Sequence, residues 1–319
     1  MVDITINKFK DVDIPKLASF MFESTKDTVF HREDRTRESL EQSFQRMVNN
    51  ENALVLIATA EGKIVGVLRI FTGFPEMVLA ANWHPRIHYS DKREEIAMEM
   101  IQFCKEYAKE NGFKRFEMNL IPIKQEHAEV YREYKSWCEK SGLYRTTEEV
   151  FLQVDIQNHQ LPSAQPSLPE GFRFESIDNV TNDDIESPVL DSFSVESDRA
   201  FVDLTSSQQK TVFNYWFRRS QPFHRSTILV MKDDDVVGFN VVRVNENSAH
   251  FGPVGVIPKY HRQGIMKSVL HESFKRLQED GIKIATLEAD KSNDPAIGLY
   301  SKFGFKEQHT QQYHAWRVE

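Results

Sequence analysis

The stretch Leu287-Glu288-Ala289-Asp290-Lys291-Ser292-Asn293-Asp294-Pro295-Ala296-Ile297-Gly298-Leu299-Tyr300-Ser301-Lys302-Phe303-Gly304-Phe305 reads as a strand end, a turn, a short helix and the start of another strand. Asn293 stands where a side-chain oxygen caps the first free amides of a helix. Pro295 suits the first turn, because its φ is already helical and its missing N–H would have had no partner there. Ala296, Leu299, Tyr300 and Phe303 recur at three- and four-residue spacing, so one face of this helix packs inward.

Upstream, Val254-Gly255-Val256-Ile257-Pro258-Lys259-Tyr260-His261-Arg262-Gln263-Gly264-Ile265-Met266-Lys267 carries a strand through a cationic turn into a second helix. The first amides of a helix lack intrahelical acceptors and sit at the positive end of its dipole, so such a turn suits phosphate oxygens. Gly264 permits close approach, and Arg262 and Lys267 add positive charge. A plain strand–turn–helix connection is the alternative for this loop taken alone.

The two stretches together resemble the GNAT (Gcn5-related N-acetyltransferase) superfamily. Its pattern here is a valine-rich strand, a proline and Gln/Arg-x-x-Gly-x-Gly/Ala, followed by Asn-x-x-Ala-x-x-Leu-Tyr-x-x-x-Gly-Phe. The Val254-Gly255-Val256-Ile257-Pro258 run is especially similar to the catalytic half of the tandem-domain type, as in mycothiol synthase. His261 occupies the Gln/Arg place and Met266 the small-residue place. The resemblance implies acetyl-CoA as co-substrate, bound by Val254, Gly255, Val256, His261, Arg262, Gln263, Gly264, Ile265, Met266 and Lys267, with Asn293 at the pantetheine arm and Tyr300 near the sulfur. It also implies direct N-acetyl transfer to a primary amine.

That chemistry needs a deprotonated amine, a polarised carbonyl and a proton for the departing thiolate. Tyr300 matches the family's general acid; its other reading is a core aromatic. Glu288 lies 12 residues earlier on the preceding strand, a spacing that resembles the glutamate–tyrosine pair of ribosomal-protein N-terminal acetyltransferases. It is the candidate base, against a surface or ion-pair role, with His250 as runner-up. Backbone amides freed near Val254 would polarise the thioester. The competing function is an acyl-CoA-binding sensor or interaction module without catalysis.

Outward from these motifs the chain repeats itself. Each half reads as a strand, two helices, a hairpin (53–59 with 64–70; 227–231 with 236–244), a strand-to-helix passage, a strand, a helix and two final strands. The fold class expected is α+β: two tandem GNAT-like domains, each a mixed, mostly antiparallel twisted sheet flanked by helices. Between the halves, Pro162, Pro166, Pro169 and Gly171 mark a proline-rich linker over 157–171, giving domains 1–156 and 172–319. In the first domain the matching loop, Trp83 to Glu95, has no glycine and places Asp91, Glu94 and Glu95 at the helix start. This half is therefore expected to be non-catalytic, without a cofactor site, and to wall the acceptor cleft. Its His84 and His88 flank Pro85 and offer no third ligand, so no metal is expected. The aromatic segment Phe213-Asn214-Tyr215-Trp216-Phe217 reads as core rather than as a pocket lining, because Phe213, Trp216 and Phe217 share a helical face.

A formal net charge of −8 opposes binding to nucleic acid or anionic membranes. With no apolar run of about 20 residues and no basic lead or apolar stretch at Met1 to Ile6, neither membrane insertion nor a secretory leader is expected, and the two cysteines have no partners at ligand spacing. A cytoplasmic protein is expected, monomeric or homodimeric, whose partner is a small-molecule or peptide amine.

Overall fold

The computed structural model describes residues 2–25, 28, 35–80, 85–88, 92–120, 122, 125–159, 166–194 and 199–318. The first half runs β1 (Asp3–Lys8), α1 (Ile14–Glu23), α2 (Arg37–Gln45), β2 (Ala53–Ala60), β3 (Lys63–Phe74), β4 (Met77–Ala80), β5 (Arg86–Ile87), α3 (Arg93–Glu110), β6 (Arg115–Asn119), α4 (Ala128–Lys140) and β7 (Tyr144–Asp155). The second runs β8 (Phe172–Glu175), α5 (Asn182–Phe193), α6 (Arg199–Val202), α7 (Ser206–Trp216), β9 (Ile228–Lys232), β10 (Asp235–Asn245), β11 (Ser248–Val256), α8 (Ile265–Glu279), β12 (Ile284–Asp290), α9 (Asp294–Lys302) and β13 (Lys306–Arg317).

The chain forms two compact units, 147–310 and 1–146 with 311–319. They do not follow the division into 1–156 and 172–319 at a 157–171 linker, because each unit finishes its sheet with a strand from the other half. In the first unit β1, β2, β3 and β4 pair antiparallel in turn, β4 pairs parallel with β6, and β6 pairs antiparallel with Tyr313–Arg317 of β13. In the second unit β8, β9, β10 and β11 do the same, β11 pairs parallel with β12, and β12 pairs antiparallel with β7 from Glu149 to Asp155. The repeat read from the sequence is thus a repeat of strand order. Without the exchanged strand, β6 and β12 would each present an open edge of unpaired amides and carbonyls.

Both faces of each sheet are covered, which explains near-continuous apolar runs such as Ala53-Leu54-Val55-Leu56-Ile57 in β2. In the second unit α8 and α9 bring Leu270, Phe274, Leu277, Tyr300 and Phe303 against Phe251, Ala285 and Leu287. On the other face α5 and α7 bring Ile185, Val189, Phe213 and Phe217 against Leu229, Phe239 and Val241. Phe274 is fully buried and meets Phe251 and Phe305 edge-on, each with centroids at 5.7 Å. The first unit has the same layers, with α3 and α4 over Leu56, Leu68 and Phe116, and α1 and α2 over Val55 and Val67.

The two final strands expected in each half are one unbroken strand, β7 and β13. Polar Thr310-Gln311-Gln312 suggests a break, but these residues are buried, and Gln311 Nε2 donates to the Leu120 carbonyl at 2.7 Å. No helix among the described residues is long and apolar enough to cross a membrane.

Deleting 311–319 should strip β6 of its partner, so amide exchange protection over Arg115–Asn119 falls steeply while that of β12 persists. A second expectation concerns acid. Burial holds the His314 imidazole well below the usual histidine range, at about 4, with Glu139 opposing the shift. The folded state therefore keeps His314 neutral, whereas the unfolded chain takes up a proton below its ordinary value of 6.5. Stability should fall as pH drops from about 6.5 to about 4, and His314→Leu should flatten that part of a denaturation-against-pH curve.

Candidate active site

The site begins where two strands part. Parallel pairing of β11 with β12 runs from Ser248 with Ile284 to Phe251 with Leu287, and stops. Gly252 and Pro253 follow, and Pro253 has no amide hydrogen to extend a ladder. Against β10, Asn240 faces Val254 and Val242 faces Phe251, so β11 carries one extra residue at this point. Such a bulge bends a strand and sharpens its twist. Beyond it β11 continues to Val256 paired with β10, and β12 continues to Asp290 paired with β7. Between them a gap opens in the sheet.

The loop after β11 ends at α8. Its amides at Tyr260 and His261 donate to the Ile257 and Pro258 carbonyls at 3.0 and 3.1 Å, and the first bond inside the helix is Ser268 N to Gly264 O at 3.2 Å. The six amides from Arg262 to Lys267 find no acceptor among the described residues. Arg262 and Gly264 both have left-handed backbone, with φ of 62° and 79°, a conformation that turns neighbouring amides toward one concavity. A Cβ built on Gly264 meets nothing within 4 Å, so the space in front of these amides is open.

Side chains of the loop divide into two groups. Arg262, Gln263 and Lys267 are exposed. Ile265 is buried and Met266 packs on the core, so both offer the loop only their backbone amides. That inward packing accounts for a bulky residue in the place where the family pattern has a small one. His261 turns back, its Nε2 lying 2.8 Å from the Val256 carbonyl, and ties the loop to the end of β11. At Gly255 a Cβ would stand 2.6 Å from Phe239 Cζ and 3.0 Å from Ser192 Cβ, so this strand edge needs glycine to pass the α5 layer.

On the other side of the gap, Asn293 Oδ1 accepts from Ala296 N at 3.2 Å and caps α9. Tyr300 is buried beside Leu287 in the core under α8 and α9, edge-on to Phe305 at 5.9 Å. Glu288 follows Leu287 and therefore points to the opposite face of β12. There its Oε2 lies 4.0 Å from His250 Nε2, and His250 Nδ1 lies 3.2 Å from Thr286 Oγ1. Both side chains are nearly half exposed, at 46% for His250 and 44% for Glu288. The two candidates for the base, read from the sequence as alternatives, form one cluster, while Tyr300 comes from the other face.

Asp290 went unread in the sequence. It accepts from Thr147 Oγ1 at 2.7 Å, Ser292 Oγ at 2.6 Å and the Arg199 amide at 3.4 Å, joining β12 to β7 and α6. Burial pushes its carboxyl up, but the bonds from Ser292 and Thr147 outweigh this and hold it below the usual range. Phe213 and Phe217 are core, as read, whereas Tyr215 is exposed and Trp216 stacks on Phe201 at 5.6 Å. No group of three metal-ligating side chains occurs among the described residues. His84 lies outside them, as do Trp83 and residues 89–91 of the first unit's matching loop; Glu94 and Glu95 do occupy the first turn of α3.

Residues 190–305 match the Acetyltransferase (GNAT) family, a span that contains the gap, the loop and α9. The chain carries a GNAT domain within a tandem GNAT-like fold. A mycothiol acetyltransferase from Brachybacterium faecium is 24% identical over 174 residues, covering 52% of this chain and 50% of that protein. The chain spans about half the length of the curated relatives it matches. Among solved structures, a GCN5-related N-acetyltransferase from Sphaerobacter thermophilus superimposes with a TM-score of 0.67 at 14% identity, over 99% of this chain and 95% of that one. A tandem GNAT protein from the clavulanic acid biosynthesis pathway gives 0.60 at 13% identity, over 99% and 98%. These likenesses show the fold of both units.

Two glycines of the site should respond differently to substitution. Gly255→Val overpacks a filled layer and should cost about 1–3 kcal/mol. Gly264→Ala meets only the strain of a positive φ, about 1 kcal/mol. Urea denaturation of the two variants checks the order.

Proposed function

We propose that the second unit, 147–310, transfers an acetyl group from acetyl-CoA to a primary amine. The observation that carries this reading is the gap between β11 and β12, flanked by the unpaired amides of α8, by Tyr300 on one face and by Glu288 with His250 on the other. The residues suit a nucleotide thioester: six amides and the charges of Arg262 and Lys267 would take the pyrophosphate, and Asn293 at the start of α9 would meet the pantetheine arm. Acetyl-CoA supplies an acyl group already activated as a thioester.

The protein's own groups do the rest. Backbone N–H groups of β11 near Val254, unpaired toward β12, polarise the acyl carbonyl. Glu288, directly or through His250, takes the proton of the amine as its nitrogen forms the new C–N bond. Tyr300 gives a proton to the sulfur as the C–S bond breaks, and one proton from solvent restores it. Amine and thioester thus meet through the sheet, each served from its own face. The acceptor is a primary amine of a small molecule or a peptide. The first unit lacks this set of groups in its described residues and serves, on this reading, without catalysing the reaction.

Tyr300→Phe should lower kcat by about 10²-fold with coenzyme A affinity changed less than about twofold, and Glu288→Gln should lower kcat by a similar factor. Calorimetry with acetyl-CoA, followed by thiol-release assays over a panel of amines, measures both. Wild-type turnover in Tyr300→Phe removes the general acid. Binding without thiol release from any amine makes the unit an acyl-CoA sensor, and absence of binding ends the proposal.

A further inference from the structure

Thr286, two residues before Glu288 on β12, is the register partner of His250 on β11. Its hydroxyl lies 3.2 Å from His250 Nδ1 and donates to the Ala249 carbonyl at 3.4 Å. A hydroxyl has one hydrogen and two lone pairs. With that hydrogen on the Ala249 carbonyl, Thr286 Oγ1 offers the ring only a lone pair, so Nδ1 is the nitrogen that carries hydrogen and donates. In a neutral imidazole the other nitrogen, Nε2, is then bare and basic.

Nε2 sits at the place where the strands part. A Cβ built on Gly252 would stand 3.3 Å from Nε2 and 3.8 Å from Cδ2, so the ring lies against the residue at which β11 leaves β12. Nε2 makes no hydrogen bond to a described residue, and the charge facing it is Glu288 Oε2 at 4.0 Å. Other charges on this face are engaged elsewhere. Arg243, the register partner of His250 on β10, gives its guanidinium to the Trp216, Gln221 and Arg218 carbonyls at 2.8, 3.0 and 3.4 Å. Asp290 is held by Thr147 and Ser292. Glu288 is thus the carboxylate placed to face an imidazolium.

We propose that Thr286 is a positioning residue for acetyl transfer, fixing the tautomer of His250 so that Nε2, rather than Glu288, takes the proton of the acceptor amine. This role rests on the acetyl-transfer reading and assigns the first step within the cluster. As the amine nitrogen forms the C–N bond, its N–H bond breaks and the proton goes to the Nε2 lone pair. The ring becomes an imidazolium that still donates from Nδ1 to Thr286, and Glu288 balances the new charge. His250 is 46% exposed, so the imidazolium can return its proton to water, while the departing thiolate takes its own from Tyr300. An unrestrained neutral imidazole favours hydrogen on Nε2, which would turn a donor and not a base toward the amine. The hydrogen bond at Nδ1 reverses that preference.

The test has one readout without substrate and one with it. Nitrogen-15 NMR of the full chain, labelled at histidine and held at a pH where imidazoles are neutral, should show hydrogen on Nδ1 of His250, its signals assigned by their loss in His250→Gln. In Thr286→Val the hydrogen should move to Nε2. In thiol-release assays Thr286→Val should lower kcat about tenfold, with KM for acetyl-CoA changed less than about twofold, and His250→Gln should lower kcat about 10²-fold. Thr286→Ser keeps the hydroxyl and should recover turnover to within about threefold of wild type. Thermal unfolding shows whether Thr286→Val remains folded; if it does not, the wild-type spectrum and Thr286→Ser, with hydrogen kept on Nδ1, decide. Hydrogen on Nε2 in the wild type, or wild-type kcat in Thr286→Val or His250→Gln, overturns this role and leaves the acetyl-transfer reading standing. No thiol release by the wild type from any amine overturns that reading and this role with it.

Discussion

Backbone hydrogen bonding cannot run through Pro253, and much of the second unit follows from that. A parallel ladder that stops at Phe251 and Leu287 leaves polar backbone groups without partners inside a protein, where each unpaired group costs about 1–3 kcal/mol. Two things make the opening tolerable. The extra residue of β11 bends the strand away, and the packing of Phe274 against Phe251, Phe303 and Phe305 fixes the sheet face on the closed side of the gap. Phe274 makes a rigid floor, since losing such a buried ring costs about 3–5 kcal/mol. Groups left unpaired on a rigid floor are the kind that bind a polar ligand without further rearrangement.

The exchange of β7 and β13 bears on the same problem. β12 carries Glu288 on one face and packs Leu287 beside Tyr300 on the other, so its twist and register set where those groups lie. Its outer neighbour is β7, in register from Ile284 with Asp155 to Asp290 with Glu149. Thr147 and Glu148 add side-chain contacts to Asp290 and Lys291. The strand that aligns the edge carrying Glu288 is therefore made by the first half of the chain. Neither half alone contains a complete unit.

What could be read in advance divides along physical lines. Strand and helix periodicity, the Asn293 cap and the α8 entry are local, and local chemistry specifies them: Asn293 caps α9, and Gly264 takes the positive φ that opens α8. The cut between domains was misplaced because strand exchange is a choice of partner. Two strands with similar alternation look alike whichever unit they join. The polar run Thr310-Gln311-Gln312 hid the continuity of β13 for the opposite reason, since its burial depends on a partner, Leu120, nearly two hundred residues away. The Gly252-Pro253 pair was a legible signal: a proline in the middle of a strand flanked on both sides marks an edge or a bulge. His250 with Glu288 and Asp290 with Thr147 were not legible, because each pair is made by register between strands.

Charge adds a last step. The chain carries a formal net charge of −8, and yet the loop into α8 presents cations and amides without acceptors among the described residues. At physiological ionic strength exposed charges are screened beyond about 8 Å, so the overall field does little to an anion once it reaches a cavity. Contacts inside that range decide. At α8 the cations are exposed on a loop beside amides without acceptors among the described residues, an arrangement that on the proposed reading would suit a long cofactor that must enter and leave. Where β11 and β12 part, short-range contacts rather than the overall charge therefore govern an approaching anion.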